Sequence, residues 1–156
     1  MEISNITRHL HISAPVAIAY AKFVYEINEW WPKTYTWSGE KVLNIRIHPA
    51  VNGLCTETGP YEFRCDWGRV VHIKEGSSIA FLWQINPKRA PEPDPEKASE
   101  VFLHFFADGT HQTKIDFGHR YFDRHGREAG AYREAMDAPE GWDYILDCFT
   151  RYCAAQ

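Results

Sequence analysis

Strand-like segments joined by short turns fill the middle of the chain, and they limit its fold more than any other feature. The breaks carry turn-forming pairs, among them Asn52–Gly53, Gly59–Pro60 and Asp108–Gly109. Consecutive strands with such turns favour an antiparallel meander over βαβ units, because a parallel pair needs a long crossover. The alternating patterns predict six strands, at residues 41–48, 61–65, 67–75, 78–86, 99–107 and 110–122.

The longest break within the meander, residues 87–97, contains four prolines. Proline has no backbone N–H to donate to a sheet ladder, and proline-rich segments are stiff. Strand patterns resume at once on the far side. We therefore predict an exposed hairpin loop here and not a linker between domains.

A strand and a helical region precede the meander. Residues 3–13 alternate with a period of two and predict the first strand. Ser13 is the predicted N-cap of a helical segment over residues 14–27, in which apolar side chains share one face. Pro32 ends this region just after a pair of tryptophans.

The end of the chain is predicted to be helical. Asp137 and Glu140 have the spacing of a capping box, which places the helix start at Asp137. An apolar stripe from Trp142 to Cys153 predicts that one face packs against the sheet. The predicted fold class is α+β: a curved antiparallel sheet of six to seven strands wraps around a long C-terminal helix, with two short helices after the first strand.

Length and charge narrow the class of protein further. The chain has 156 residues, which predicts one domain over residues 1–156, and its formal net charge of -4 gives no general attraction to nucleic acid. The longest apolar run, Val16–Ala21, is too short to cross a membrane, and no signal peptide is visible. We expect a cytoplasmic protein whose four cysteines are reduced thiols.

Two polar residues interrupt the rows of large side chains that alternation places on one face of the sheet. Arg69 shares a side with Trp67. It is predicted either to pair with a ligand carboxylate or phenolate, or, after a register slip of one residue, to be a surface charge. His119 is a candidate general acid or base, or a core histidine that a neighbour satisfies. Glu57, Glu62 and Asp66 lie near Arg69 in the sequence; one of them could be a buried partner, but they are interpreted as solvated turn charges.

Six motifs follow one another in an order that resembles the SRPBCC, or START-like, proteins, and most of all the branch named after the C-terminal domain of a chaperone ATPase activator. They span almost the whole chain: ISAPVAIAYAKF, the pair Trp30–Trp31, WGRVVHI, FLW, GTHQTKIDFGH and GWDYILDCFTRY. The resemblance implies a helix-grip fold with a hydrophobic cavity between the sheet and the last helix. Members of this group bind lipids, hormones, polyketides and other small apolar molecules, and some catalyse cyclisation or hydrolysis.

On this basis we predict that a small apolar, ring-containing or lipid-like molecule binds in such a cavity. The segment 30–39 and the loop 87–97 are the predicted mouth of the cavity. The candidate ligand-binding residues are Trp31, Phe63, Arg69, Trp83, Phe117, His119 and Trp142. The same large rings could instead fill a solid core, because composition does not distinguish a lined cavity from a packed interior.

Two other functions remain open at this point. One is a cyclase or hydrolase that uses His119 as its general base. The other is a chaperone-interaction module, for which the cavity should be small or filled. No metal-ligand spacing, phosphate loop or nucleophile motif is present, so we expect no metal and no cofactor, and we expect neither nucleic acid nor a membrane span. A homodimer remains an open alternative.

Overall fold

The computed structural model describes residues 3–155, and its strands form one antiparallel sheet. The strands are β1 Ile6–Ile12, β2 Asn44–Ile47, β3 Leu54–Thr58, β4 Arg64–Lys74, β5 Ser78–Trp83, β6 Ser99–Ala107 and β7 Thr113–Arg120. Their order across the sheet is β1-β7-β6-β5-β4-β3-β2. The strands from β2 to β7 therefore form the predicted meander, and β1 lies at the edge beside the last strand.

The helices lie before and after this meander. They are α1 Val16–Tyr25, α2 Ile27–Trp30, α3 Ala129–Asp137 and α4 Tyr144–Ala154, with a π-helical turn at Pro139–Asp143 between the last two. Short 3-10 turns lie at Lys33–Tyr35, Gly39–Lys41, Pro95–Lys97 and Phe122–His125. Within residues 3–155, no helix is both long enough and apolar enough to span a membrane.

The sheet curves around α4, as the apolar stripe of this helix predicts. Phe149 of α4 is fully buried, with its ring centroid 5.2 Å from that of Phe23 in α1 and 5.0 Å from that of Trp30 in α2. Burial of large aromatic side chains is a main source of stability in a core of this kind. The predicted α+β helix-grip architecture is confirmed.

The number of strands matches the upper prediction, but two strands were assigned wrongly. Only the last two residues of the strand predicted at 61–65 are in a strand, and they belong with the segment predicted at 67–75 to one strand, β4, which begins at Arg64. Residues 61–63 lie in the turn before it. The sequence analysis missed β3, because its inward positions hold Cys55 and Glu57 and not two large apolar residues. Without that apolar alternation a strand has no period-two signal.

Both predicted helix starts also need correction. Ser13 is not an N-cap: α1 begins at Val16 after Pro15, with no side-chain cap. Asp137 does not begin the terminal helix but ends α3, which the sequence analysis did not predict. The α-helical part of the C-terminus that follows Pro139–Asp143 is α4, of 11 residues. Asp137 instead pairs with Arg8 of β1, with 2.7 Å between Oδ1 and Nη2.

Candidate functional site

A cavity of about 410 Å³ lies where the end of β5 meets the start of the C-terminal helical region. Its walls come from the segment after α2, from β5 and the loop that follows it, from α3, and from the first residues before and in α4. Small-molecule sites usually occupy roughly 300–1,000 Å³. The lining side chains include Trp31, Tyr35, Trp37, Trp83, Arg89, Met136 and Ile145.

Residues 33–41, called here the mouth segment, cover one side of the cavity. The Trp37 indole Nε1–H donates to the carbonyl oxygen of Arg89 at 2.9 Å. The Tyr35 hydroxyl donates to the carbonyl oxygen of Glu140. Tyr35 and Trp37 are 43% and 37% exposed, so they form the rim. Residues of both predicted mouth regions, 30–39 and 87–97, thus line the cavity.

A buried carboxylate holds the mouth segment to the sheet. Glu57 of β3 is only 2% exposed. Its Oε1 accepts a hydrogen bond from the Trp37 backbone N–H at 3.1 Å, and its Oε2 accepts one from the Ser38 N–H at 2.8 Å. The interpretation of Glu57 as a solvated turn charge is therefore wrong. A buried charge of this kind is stable only with such partners, so its two bonds fix the position of the rim.

Indole rings form the inner wall of the cavity. Trp31 stacks on Trp67 with 6.0 Å between ring centroids, and its ring centroid lies 6.3 Å from that of Trp83. The Trp83 Nε1–H donates to the Tyr132 hydroxyl at 2.7 Å, and this hydroxyl donates to the carbonyl oxygen of Ile85 at 2.9 Å. Burial raises the pKa of Tyr132 to about 12, so the hydroxyl keeps its proton and both bonds at neutral pH.

Behind this wall the interior is filled. The ring centroid of Trp142 lies 4.7 Å from that of Phe117 and 5.3 Å from that of Trp83. These rings close the space that we predicted to be a cavity between the sheet and the last helix. The observed cavity is displaced to the N-terminal end of α4, where Ile145 is a lining residue.

A chain of hydrogen bonds runs through the filled region. The Trp142 Nε1–H donates to His119 Nδ1 at 2.9 Å, and an indole can only donate. The proton of the neutral His119 ring therefore sits on Nε2, which donates to Ser99 Oγ at 2.7 Å. Ser99 Oγ in turn lies 2.7 Å from His125 Nε2 and donates to it.

Both histidines of this hydrogen-bond chain, His119 and His125, are neutral at neutral pH. Burial lowers the pKa of His119 well below its ordinary value and lowers that of His125 to about 4. His119 is fully buried, and both of its ring nitrogens are occupied. It does not line the cavity. This position matches the alternative of a core histidine, with Trp142 and Ser99 as its partners, and not that of a base facing a ligand.

The seven candidate residues separate into three groups. Trp31 and Trp83 line the cavity. Phe117, His119 and Trp142 lie one layer behind Trp83, and Phe63 and Arg69 lie elsewhere. Phe63 is 38% exposed and precedes β4 in the turn after β3.

Arg69 lies on the outer face of the sheet, so of its two predicted positions the surface charge is the observed one, and it is not a ligand-binding residue of the cavity. In the register between β4 and β5, Arg69 lies opposite Leu82. Phe81 and Trp83, on either side of Leu82, face the interior, so Leu82 and Arg69 face outward. The reason is a bulge: Cys55 faces Gly68 while Thr56 faces Asp66, and Trp67 has no opposite residue. One extra residue reverses the alternation of everything that follows.

The sequence analysis missed Trp37, Arg89 and Met136 as individual lining residues. The first two lie in the predicted mouth regions, and only that regional signal pointed to them. Met136 belongs to α3, which was not predicted, so no signal pointed to it. In the described part of the chain, no three His, Cys, Asp or Glu side chains come together as metal ligands do.

Comparison with known proteins shows the fold of this chain, but neither its family nor its function. No protein-family model matches the chain, and no protein of curated function matches it in sequence. Solved structures do match over nearly the whole length. One is the anthrahydroquino-γ-pyrone synthase Txn09, complexed with SUM, at 24% identity and a TM-score of 0.68, which covers 96% of this chain and 97% of that one.

A second similar structure is the solution structure of CalC from Micromonospora echinospora, described as a self-sacrificing resistance protein. It is 23% identical, with a TM-score of 0.66, over 96% of this chain and 93% of that one. Both likenesses extend to the helices as well as the sheet, because they cover nearly every described element. They agree with the helix-grip architecture derived above.

Proposed function

We propose that this protein binds a small, apolar, ring-containing molecule in the cavity between the mouth segment, β5 and the start of α4. The observation that carries this proposal is the cavity of about 410 Å³ with the indoles of Trp31, Trp37 and Trp83 among its lining residues. Apolar pockets with a few aimed polar groups are the usual sites for small molecules. Flat rings stack against indoles with a gain beyond the buried area alone.

The similar structures support the proposal by analogy. Txn09 is a synthase that was solved in complex with SUM, and CalC is a resistance protein. A shared fold does not establish a shared function, because function depends on the site that each chain builds on the fold. The analogy therefore supports only the binding of some small molecule. The lining residues of this chain support the more specific proposal of an apolar, ring-containing ligand.

Thermal unfolding with a panel of flavonoids, sterols, fatty acids and polycyclic aromatic compounds tests the proposal. A ligand that binds only the folded state raises the melting temperature. We expect at least one ring-containing compound to do so. Ala135→Trp should abolish this shift, because Ala135 lines the cavity and a large ring there would fill it.

Ala131→Trp is the matched control. Ala131 lies one turn earlier on α3, is exposed, and does not line the cavity. A shift that survives Ala131→Trp and vanishes in Ala135→Trp supports the proposal. The proposal is contradicted if no compound of the panel raises the melting temperature, or if Ala135→Trp leaves the rise intact. Indifference together with co-purification of a large ATPase would favour a chaperone-interaction module instead.

A further inference from the structure

The polar groups of the cavity are few, and one of them is a cation without an anionic partner. Arg89 is the one arginine or lysine among the described lining residues, and Glu140 is the one carboxylic acid. Within residues 3–155, Arg89 forms no ion pair, with Glu140 or with any other acid. The cavity thus has an apolar inner wall and an uncompensated positive charge at its rim.

The backbone around Arg89 is held firmly. Arg89 has a φ of 65°, in the left-handed region that residues other than glycine rarely adopt. Its N–H donates to the carbonyl oxygen of Asn86 at 2.8 Å, and its own carbonyl oxygen accepts from Trp37. The side-chain oxygen of Asn86 accepts from the N–H groups of Lys88 and Ala90, which closes the turn. A strained, well-fixed residue at a cavity rim points to a role in the site.

The guanidinium itself is positioned but has nearly all of its hydrogen-bonding capacity free. It lies over the ring of Tyr132, with its central carbon 4.9 Å from the ring centroid. Its Nη1 donates to the Met136 sulfur at 3.4 Å, and a thioether is a weak acceptor. The guanidinium also interacts with the neutral Tyr132 hydroxyl, where it opposes the rise that burial causes in the pKa of Tyr132. A guanidinium has five N–H donors in a planar fork that matches a carboxylate or phenolate oxygen.

We infer that the molecule bound in this cavity carries an acidic group, a carboxylate or a phenolate, and that Arg89 binds it. This inference rests on the proposed function and specifies its ligand class. The rings of the ligand lie inward against Trp31 and Trp83, and its acidic group points to the rim. Arg89 is therefore an orienting and specificity-determining residue, and it supplies the positive charge that we had predicted for Arg69.

A pair of probes with the same shape and different charge tests the inference: anthracene-2-carboxylate and its neutral primary amide. Their affinities are measured by calorimetry with the wild type, Arg89→Gln and Arg89→Lys. We expect the wild type to prefer the carboxylate, and Arg89→Gln to lower the carboxylate-to-amide affinity ratio about tenfold. Arg89→Lys should retain part of the preference, and high salt should weaken it because Arg89 is exposed.

Arg124→Gln is the matched control. Arg124 is exposed and lies over a tyrosine ring, that of Tyr121 at 4.2 Å, but does not line the cavity. Its removal should leave the affinity ratio unchanged. If both probes bind, Ala135→Trp blocks them, and Arg89→Gln leaves the ratio unchanged, the acidic-ligand inference is overturned and the proposed function stands. If neither probe binds, the acidic-ligand inference is overturned, and the proposed function is decided by the thermal-unfolding panel. If both bind and Ala135→Trp blocks neither, the inference and the proposed function fall together.

Discussion

Two neighbouring parts of the interior are built from the same kinds of side chain, yet one is filled and the other holds a cavity. In the filled region, Phe117 and Trp142 pack at 4.7 Å, and the indole N–H of Trp142 bonds to His119. At the cavity, Trp31 and Trp83 face the mouth segment, whose own bonds run through backbone carbonyls at the rim.

The difference shows that aromatic content does not decide whether a core closes. In the filled region Trp142, which lies in the turn Pro139–Asp143, reaches into the interior and packs against the ring of Phe117. The mouth segment instead keeps its two large rings, Tyr35 and Trp37, at the rim. It covers the inner wall from a distance, held by Glu57 and by Trp37, and leaves a volume of about 410 Å³ beneath it.

The largest expected effect is a difference in the free energy of unfolding between removing a ring from the filled region and removing one from the rim of the cavity. Phe117→Ala should lower the free energy of unfolding by about 3–5 kcal/mol, because the closely packed surroundings of Phe117 cannot collapse into the space it leaves. Trp37→Ala at the rim should cost about 1 kcal/mol, since Trp37 is 37% exposed. Urea unfolding followed by circular dichroism measures both. Equal losses would mean that the rim is packed as tightly as the filled region.

The hydrogen bond between Trp142 and His119 should contribute measurably to the free energy of unfolding. His119→Leu leaves the Trp142 indole N–H buried without a partner, which should cost about 2–3 kcal/mol. Trp142→Phe removes that donor. The double variant should therefore be more stable than the sum of the two single losses predicts, with a coupling energy of about 1 kcal/mol. Strict additivity in a double-mutant cycle would refute the bond.

Mild acid should destabilise the filled region. His119 and His125 have lowered pKa values in the folded protein, the second at about 4, against an ordinary value of 6.5. The unfolded chain therefore binds more protons between these values, so stability is complete above pH 6.5 and falls as the pH drops below it. Urea unfolding between about pH 8 and pH 5 measures this slope. It should be shallower in His119→Leu, and an unchanged slope in that variant would contradict the assignment.

The smallest expected effect is confined to the rim. Trp37→Phe keeps a ring but removes the hydrogen bond to the carbonyl oxygen of Arg89. Because this bond is exposed, the free energy of unfolding should fall by only about 0.5 kcal/mol. Amide hydrogen exchange in residues 33–41 should nevertheless become faster, while exchange in β7 stays as in the wild type. Faster exchange throughout the sheet would indicate a core role for Trp37 instead.

Much of the fold follows from local patterns. The turn pairs at Asn52–Gly53 and Asp108–Gly109 separate strands as predicted, and the apolar stripe of α4 lies against the sheet. These features depend on neighbours a few residues apart, so the sequence displays them directly. β3 escaped prediction because the inward side chain of Glu57 is polar, and its partners are amides some 20 residues away.

The candidate site was less predictable. The face of the sheet to which a side chain points, and the segment that packs over it, both depend on residues distant in sequence. Arg69 has the correct spacing from Trp67 for an inward direction, and only the bulge opposite Cys55 and Thr56 reverses it. His119 does point inward, yet Trp142 reaches it first and occupies the nitrogen that a ligand would need.

An antiparallel meander, a helix with an apolar face to cover it and an excess of large rings between them could be predicted from the chain before folding. These features follow from side-chain period and turn chemistry, which neighbouring residues set. That Trp142 fills one part of the interior and that Arg89 lies at the rim of the other is visible in the folded molecule alone. A cavity is a space between segments distant in sequence, so its position depends on how closely each of them can approach the sheet.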